Sequence, residues 1–442
     1  MITVQGIDHL VLRVRDLAAS LHFYVDLLGC SVERRQDEIG LVQLRAGAQL
    51  IDLVTLDGRI GRAGGAGPGR EGRNMDHLCL RVDTLDEPRL RRWLERQGVT
   101  VDSYGSRYGA DGEGPSLYLF DPDGNELELK GPPWPQGLHE ALDEAQGYDT
   151  YYPSGSLRLF NHLPMVLGAL GRLGAPLQAY RLQLEHWRRL GVPASPLPDP
   201  LPTLEEALPR LLLSAEQDAF HAAIRLAYAL QSGHAAEQRA ALAAWLAKAP
   251  EAHEEAAPRT LDGALSLRDT LAQVRADDRL PLEARSGTLI VTRLQAAQAL
   301  PGFNDYADRP RLSLDDLAEA SLAIYLATHD FTALHLVTGT HALRVLIEAA
   351  QARELDLDLP RILRNFWRAL LAAYIALRRP EPAWGLVHVG RADEADWQRA
   401  LPGLFESLND HRIKLADAAR EEWRHRGWPG YALCLEPLGA AQ

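Results

Sequence analysis

The chain has 442 residues, 46% of them hydrophobic and 24% charged, with a formal net charge of −13. That length exceeds what a single hydrophobic core supports, so two or three domains are expected. The acidic balance with no Lys/Arg cluster excludes a nucleic-acid surface, and no run of about 18 apolar residues or basic-then-apolar leader suggests a membrane.

Residues 1–131 read as strands and short helices. A strand is expected at 7–14. Asp16 then opens an amphipathic helix with Leu17, Leu21, Tyr24, Val25 and Leu28 on one face, closed by Gly29. Strands follow near 30–37, 40–46 and 49–56, and a Gly-rich connector covers 61–73. The order then repeats: a strand at 75–82, a helix at 86–97 ending at Gly98, and strands near 99–105, 115–120 and 125–130. The repeat is visible in the letters, since Ile7-Asp8-His9-Leu10-Val11-Leu12-Arg13-Val14 nearly equals Met75-Asp76-His77-Leu78-Cys79-Leu80-Arg81-Val82. A duplicated segment points to two copies of one structural unit. His9 and His77 open equivalent strands, from which a metal could be shared. Asp121-Pro122-Asp123-Gly124 is a strong turn signal.

Gly131-Pro132-Pro133-Trp134-Pro135 can neither continue a strand nor start a helix, which places a boundary there and a linker over 132–144. From 145 to 442 Leu/Ala-rich stretches with helical spacing dominate. They cover about 158–171, 175–190, 203–231, 235–248, 258–275, 289–299, 314–328, 341–353, 360–378, 394–407 and 410–424, with a Pro-rich loop at 193–202. The expected class is α+β: a duplicated βαβββ domain followed by a large all-α domain. Three cysteines, Cys30, Cys79 and Cys434, lie far apart without CxxC spacing and read as free thiols of a reducing, cytoplasmic compartment.

The repeated βαβββ order with a histidine on each first strand resembles the vicinal oxygen chelate superfamily of glyoxalases, fosfomycin- and bleomycin-resistance proteins and extradiol dioxygenases. Asp8-His9-Leu10, Phe23-Tyr24-Val25-Asp26-Leu27-Leu28-Gly29, Asp76-His77-Leu78 and Asp121 through Leu129 carry the resemblance over residues 1–131. It implies a divalent metal (Fe, Mn, Zn or Ni) held by His9, Asp52, His77 and Glu128, a set that leaves positions open for a bidentate oxygen substrate. Glu126 shares a strand face with Glu128, and the motif favours Glu128. Asp52 departs from the commoner glutamate and is one methylene shorter, which fits it also for a partner or base role. Domains of this kind often pair between chains, so a homodimer is an expectation.

The helical part holds 11 of the 15 histidines, and only three of the 47 basic residues are lysines. His162 sits at a helix start, and His221 opens a helical stretch. His329, His335 and His341 follow at intervals of six, which advance about 240° on an unbroken helix, so they would not share a face. Gly339 is expected to break the helix before His341. His411 and Lys414 fall on one face at i, i+3. His162 through Ala175, Phe220-His221 with Ile224 and Tyr228, Phe331 through His341, and Asp410-His411 with Lys414 together resemble the questin oxidase-like family over roughly 145–430. The family includes fungal enzymes that oxidatively open anthraquinone rings. The resemblance implies Fe(II) held by His162, His221, His335, His411 and a carboxylated Lys414. Lysine can lose its proton and take up CO₂ as a carbamate, which arginine cannot. His341 and Asp410 are the expected catalytic groups, and His329 an alternate.

The resulting expectation is a non-haem iron oxygenase, with O₂ as co-substrate, acting on a small aromatic or quinone-type substrate by a Baeyer–Villiger-like or ring-cleaving route. Two alternatives stand beside it. One is an extradiol dioxygenase or glyoxalase-type enzyme working at the N-terminal domain; the other is a non-catalytic protein that sequesters a small molecule. No Gly-rich dinucleotide fingerprint follows a strand, which argues against flavin or nicotinamide.

Overall fold

The computed structural model describes residues 7–67, 69, 75–249, 265–280, 289–308 and 310–435. It divides into two compact units, Met1–Trp134 and Pro135–Gln442.

In the first unit the chain runs β1 (His9–Val14), α1 (Leu17–Leu21, continuing as a π-helical turn over His22–Leu27), β2 (Ser31–Gln36), β3 (Leu41–Ala46) and β4 (Gln49–Thr55). The same series returns as β5 (His77–Arg81), α2 (Glu87–Arg96), β6 (Val101–Gly109), β7 (Gly112–Phe120) and β8 (Glu126–Lys130). The strand orders, β1-β4-β3-β2 and β5-β8-β7-β6, are identical, so the duplicated sequence is a duplicated fold. Each first strand runs parallel to the last of its copy, which requires the crossover that α1 and α2 supply. Asp16 and Asp86 cap those helices by accepting the amides of Ala19 and Arg89. One core serves both copies: Leu12, Val14, Leu44, Ile51 and Leu53 pack with Leu117, Leu119, Leu127, Leu129 and Leu94. The connector expected at 61–73 lies partly outside the described residues. Where it is described, Arg13 donates to the carbonyls of Gly61, Gly64, Gly65 and Ala66.

The second unit begins with α3 (Leu138–Ala145), a helix with Leu138, Ala141, Leu142 and Ala145 buried, inside the stretch that reads as linker. A hairpin of β9 (Tyr151–Ser154) and β10 (Leu157–Phe160) occupies the start of the helix expected at 158–171. Then come α4 (Leu163–Leu173), α5 (Leu177–Leu190), α6 (Leu204–Leu211), α7 (His221–Ser232), α8 (Ala235–Leu246), α9 (Leu267–Ala276) and α10 (Ile290–Gln298). They are followed by α11 (Asn304–Ala307), α12 (Leu314–Thr328), α13 (Phe331–Ala352), α14 (Leu359–Ala376), α15 (Trp384–Val387), α16 (Glu394–Phe405) and α17 (Asp410–Arg426). The start of the helix expected at 258–275 lies outside the described residues.

Two helix expectations are corrected. The single helix expected at 203–231 is two, because Asp218, Ala219 and Phe220 adopt φ of 52°, 55° and 70° and turn the chain between α6 and α7. Conversely, Gly339 does not break α13, which runs unbroken from Phe331 to Ala352; a single interior glycine costs a helix only about 1 kcal/mol, well within what packing supplies. At the centre α4, α7, α13 and α17 form a closed cycle, α4 on α7, α7 on α13, α13 on α17 and α17 on α4. No helix among the described residues is long and apolar enough to cross a membrane.

Candidate metal centre

Each helix of that cycle brings one histidine at or near its N-terminal end. His162 is the N-cap residue of α4, His221 the first residue of α7, His335 the fifth of α13 and His411 the second of α17. The four imidazoles form a ring of neighbours. Centroids are 4.8 Å apart for His162–His221, 5.0 Å for His221–His335, 5.1 Å for His335–His411 and 4.6 Å for His411–His162. Ligand atoms of His162, His221 and His411 all lie within 4.8 Å of one another.

The outer nitrogen of every ring is committed. His162 Nδ1 donates to Asp410 Oδ2, and His411 Nδ1 donates to Asp410 Oδ1 at 2.8 Å. His221 Nδ1 donates to the Asp218 carbonyl, and His335 Nδ1 to the Phe331 carbonyl at 2.8 Å. These bonds fix the tautomer and leave Nε2 of each ring as the lone-pair nitrogen. Among the described residues Nε2 of His335 and of His411 is buried without a hydrogen-bond partner. An unmet buried polar atom costs about 1–3 kcal/mol. The arrangement therefore fits an occupant that accepts nitrogen lone pairs.

Lys414, one turn beyond Asp410 on α17, is 2% exposed, and its backbone carbonyl accepts from the Tyr228 hydroxyl at 3.4 Å. Burial pushes its ammonium down to about 8 against the attraction of Asp410. Burial and then the Lys414 charge push His162 down to about 3. Burial likewise holds His221 and His335 well below the ordinary histidine range, with neighbouring histidines and Lys414 adding to it, and lowers His411. Burial raises the Asp410 carboxyl, but His411 and His162 more than reverse this and hold it well below the usual carboxylate range. The His162–Asp410 contact is accordingly a neutral imidazole donating to a carboxylate. Four neutral imidazoles with a readily deprotonated amine make a donor set suited to a divalent transition metal.

His341 goes elsewhere. It lies on the far side of α13 from His335, 2% exposed, with Nδ1 against Glu422 Oε1 at 2.8 Å. Arg344 donates to the same Glu422 oxygen at 2.7 Å, and burial followed by Arg172 and Arg344 pushes His341 down to about 3. His329 ends α12 in a left-handed conformation with its ring against Tyr325. Phe331, in the sequence only the start of a motif stretch, is 48% exposed, and its ring stands 4.5 Å from His411 and 4.8 Å from His335. Phe160 is stacked 5.3 Å from His221.

In the first unit His77 meets Glu128, whereas His9 and Asp52 have separate partners. Strand register makes Asp52 and Glu128 equivalents, Val11 standing opposite Asp52 as Cys79 stands opposite Glu128. His77 Nδ1 meets Asp76 at 2.9 Å, and its Nε2 lies 3.2 Å from Glu128 Oε2. Burial raises the Glu128 carboxyl, and hydrogen bonds from Ser116, Tyr118 and Cys79 bring it below its ordinary value. His9 Nδ1 meets Asp8 at 2.6 Å, while Asp52 is buried and accepts Gln43 Nε2 at 3.0 and 3.2 Å. No three His, Cys, Asp or Glu ligand atoms lie within 4.8 Å of one another there among the described residues. His9, Asp52, His77 and Glu128 are thus not brought to one centre within this chain.

The two units match two known domain classes. The profile of the Glyoxalase/Bleomycin resistance protein/Dioxygenase superfamily matches residues 6–129, and that of the Questin oxidase-like family matches residues 202–419. The chain belongs to the first family over its N-terminal unit and carries a questin oxidase-like domain in its helical one.

Among individual proteins, virulence protein STM3117 of Salmonella typhimurium is 33% identical over 128 residues, 28% of this chain and 83% of that protein. Glutathione transferase FosA of Serratia marcescens is 31% identical over 126 residues, 28% of this chain and 80% of its own length. An integron cassette protein from the mobile metagenome of V. cholerae, a solved structure, is 30% identical, covering 30% of this chain and 98% of its own, with a TM-score of 0.24.

Proposed function

We propose that the helical unit is a metal-dependent oxidoreductase, with iron at the four-histidine centre and O₂ as oxidant, acting on a small aromatic or quinone-type substrate. The observation that carries this reading is the ring of His162, His221, His335 and His411, each with Nδ1 engaged, with a buried Lys414 near enough for its charge to act on all four. These four histidines with Lys414 would hold the metal, which when bound would supply activation of O₂ and of a phenolate-type oxygen.

The protein's own residues prepare the site for such a substrate. Asp410 holds two imidazoles with its two oxygens, so it acts first as a positioning residue. Four helix N-termini meet at the centre, and their dipoles favour an anionic oxygen there, whether a phenolate or a carbamate on Lys414. Phe331 and Phe160 offer flat apolar surface beside His411 and His221, which suits a planar ring. Cleavage that leaves both oxygen atoms of O₂ in the product balances with no other reductant.

The test is elemental analysis of the protein purified without chelators, with oxygen uptake measured for the wild type, His162→Ala and His411→Ala. Stoichiometric iron and loss of uptake in both variants support the proposal. No iron, with uptake unchanged in the variants, overturns it. The contact of His77 Nε2 with Glu128 favours a second reading, chemistry at the N-terminal unit. His77→Ala should abolish turnover only under that second reading.

A further inference from the structure

We infer that Asp218-Ala219-Phe220 is a strained latch that positions His221 before any metal arrives, and that Gly339 is the socket that keeps it closed. This rests on the metal reading of the four-histidine centre.

Three consecutive non-glycine residues hold left-handed φ of 52°, 55° and 70° directly before His221. Residues with a Cβ avoid that region, and such a run persists only where its surroundings over-determine it. Here they do so at both ends. The Tyr151 hydroxyl donates to the Asp218 carboxylate, tying the segment to β9. The Phe220 side chain is 1% exposed, its ring 5.0 Å from the Phe366 ring, and it packs against Gly339 of α13. A Cβ on Gly339 would stand 2.8 and 3.0 Å from two Phe220 ring carbons, so only glycine admits the ring. Between these anchors the Asp218 carbonyl accepts His221 Nδ1, so the left-handed segment itself carries the group that fixes this ring.

The consequence is a rigid ligand. His221 is gripped at Nδ1, stacked 4.8 Å from His162 within 7° of parallel, and faced by Phe160. The glycine on α13 follows His335 by one turn, so the helix that supplies one ligand also seats the device that aims another. Strain that serves only the fold could sit anywhere in the 203–231 stretch. Its placement against a ligand marks it as preorganisation.

The test uses the full chain stripped of metal and titrated with Co(II), whose visible spectrum reports ligand geometry. Two variants are compared with wild type, Gly339→Ala and Ala219→Gly. Gly339→Ala should displace Phe220, weaken Co(II) binding at least tenfold and change the spectrum. Ala219→Gly removes left-handed strain without crowding, so the metal-free protein should melt no lower than wild type while Co(II) binding weakens several-fold. Wild-type affinity and spectrum in both variants would overturn the latch and leave the metal reading standing. A wild type that binds no Co(II) would overturn both. If Gly339→Ala fails to fold, Ala219→Gly decides alone, because improved melting with weakened binding is a pairing that a purely structural kink does not produce.

Discussion

Asp410 shows how one side chain can decide whether two others are ligands. Both its oxygens accept Nδ1–H, from His162 and His411, so both rings present Nε2 as an unprotonated donor. Asp410→Asn is nearly isosteric, yet its amide nitrogen donates, and a ring facing that nitrogen must carry its proton on Nε2 and lose its place as a ligand. Loss of such an outer partner typically costs 10–100-fold in metal affinity. Competition with a chelator should show that drop in Asp410→Asn, with little change in the melting temperature of the metal-free protein. Lys414 carries a separate prediction that depends on the same site. If its amine takes up CO₂, protein prepared under CO₂-free conditions should gain metal affinity when bicarbonate is added, and Lys414→Arg should not respond. An equal response in Lys414→Arg would end the carbamate idea.

At the scale of elements, α7 illustrates how the scaffold is braced behind the site. Arg225, 3% exposed, donates to both oxygens of Glu237 on α8 at 2.7 and 3.0 Å, and Gln146 adds a third bond to that carboxylate at 2.7 Å. Removing the arginine strands a buried negative charge, a loss of about 3–5 kcal/mol, whereas replacing both partners with neutral groups costs much less. Arg225→Met should therefore lower the unfolding free energy of the helical unit by about that amount, and Arg225→Met with Glu237→Gln should recover most of it in denaturant titrations.

The same elements show what was legible from the residues alone. The β1 and β5 repeat, the βαβββ order and the long helices α12, α14, α16 and α17 were readable because side-chain period and caps such as Asp16 are local properties. The four histidines that meet were singled out through motif resemblance; spacing alone left them on unrelated helices, since their meeting depends on which helices pack in a cycle. The latch at 218–220 had no signal, for Asp, Ala and Phe do not announce left-handed backbone. Gly339 was misread as a helix end because its absent side chain serves a tertiary contact with Phe220.

Across the whole molecule the two units differ in how they should respond to acid. Five buried or half-buried histidines of the helical unit are held neutral: burial pushes His162 and His341 to about 3, holds His221 and His335 well down, and lowers His411. An unfolded histidine binds its proton near pH 6.5. Below that pH the unfolded chain therefore binds more protons than the folded one, and stability falls as pH falls. Each such group contributes about 1.4 kcal/mol per pH unit until its folded value is reached. His9 and His77 of the N-terminal unit have the opposite sign. Hydrogen bonds to Asp8 and Asp76 raise them, so they favour the folded state below the unfolded value and lose that contribution as pH rises through the folded one. Both are largely solvent-accessible, which keeps their effect small. Scanning calorimetry of the metal-free chain from about pH 7 to 5 should show the transition of residues 135–442 falling steeply while that of residues 1–134 barely moves. Saturation with the metal should raise the helical transition most at the upper end of this range, because protons and metal compete for the same Nε2 atoms. A helical transition that is flat between those pH values would mean that the five imidazoles are not buried as neutral groups, and the metal centre described here would lose its electrostatic basis.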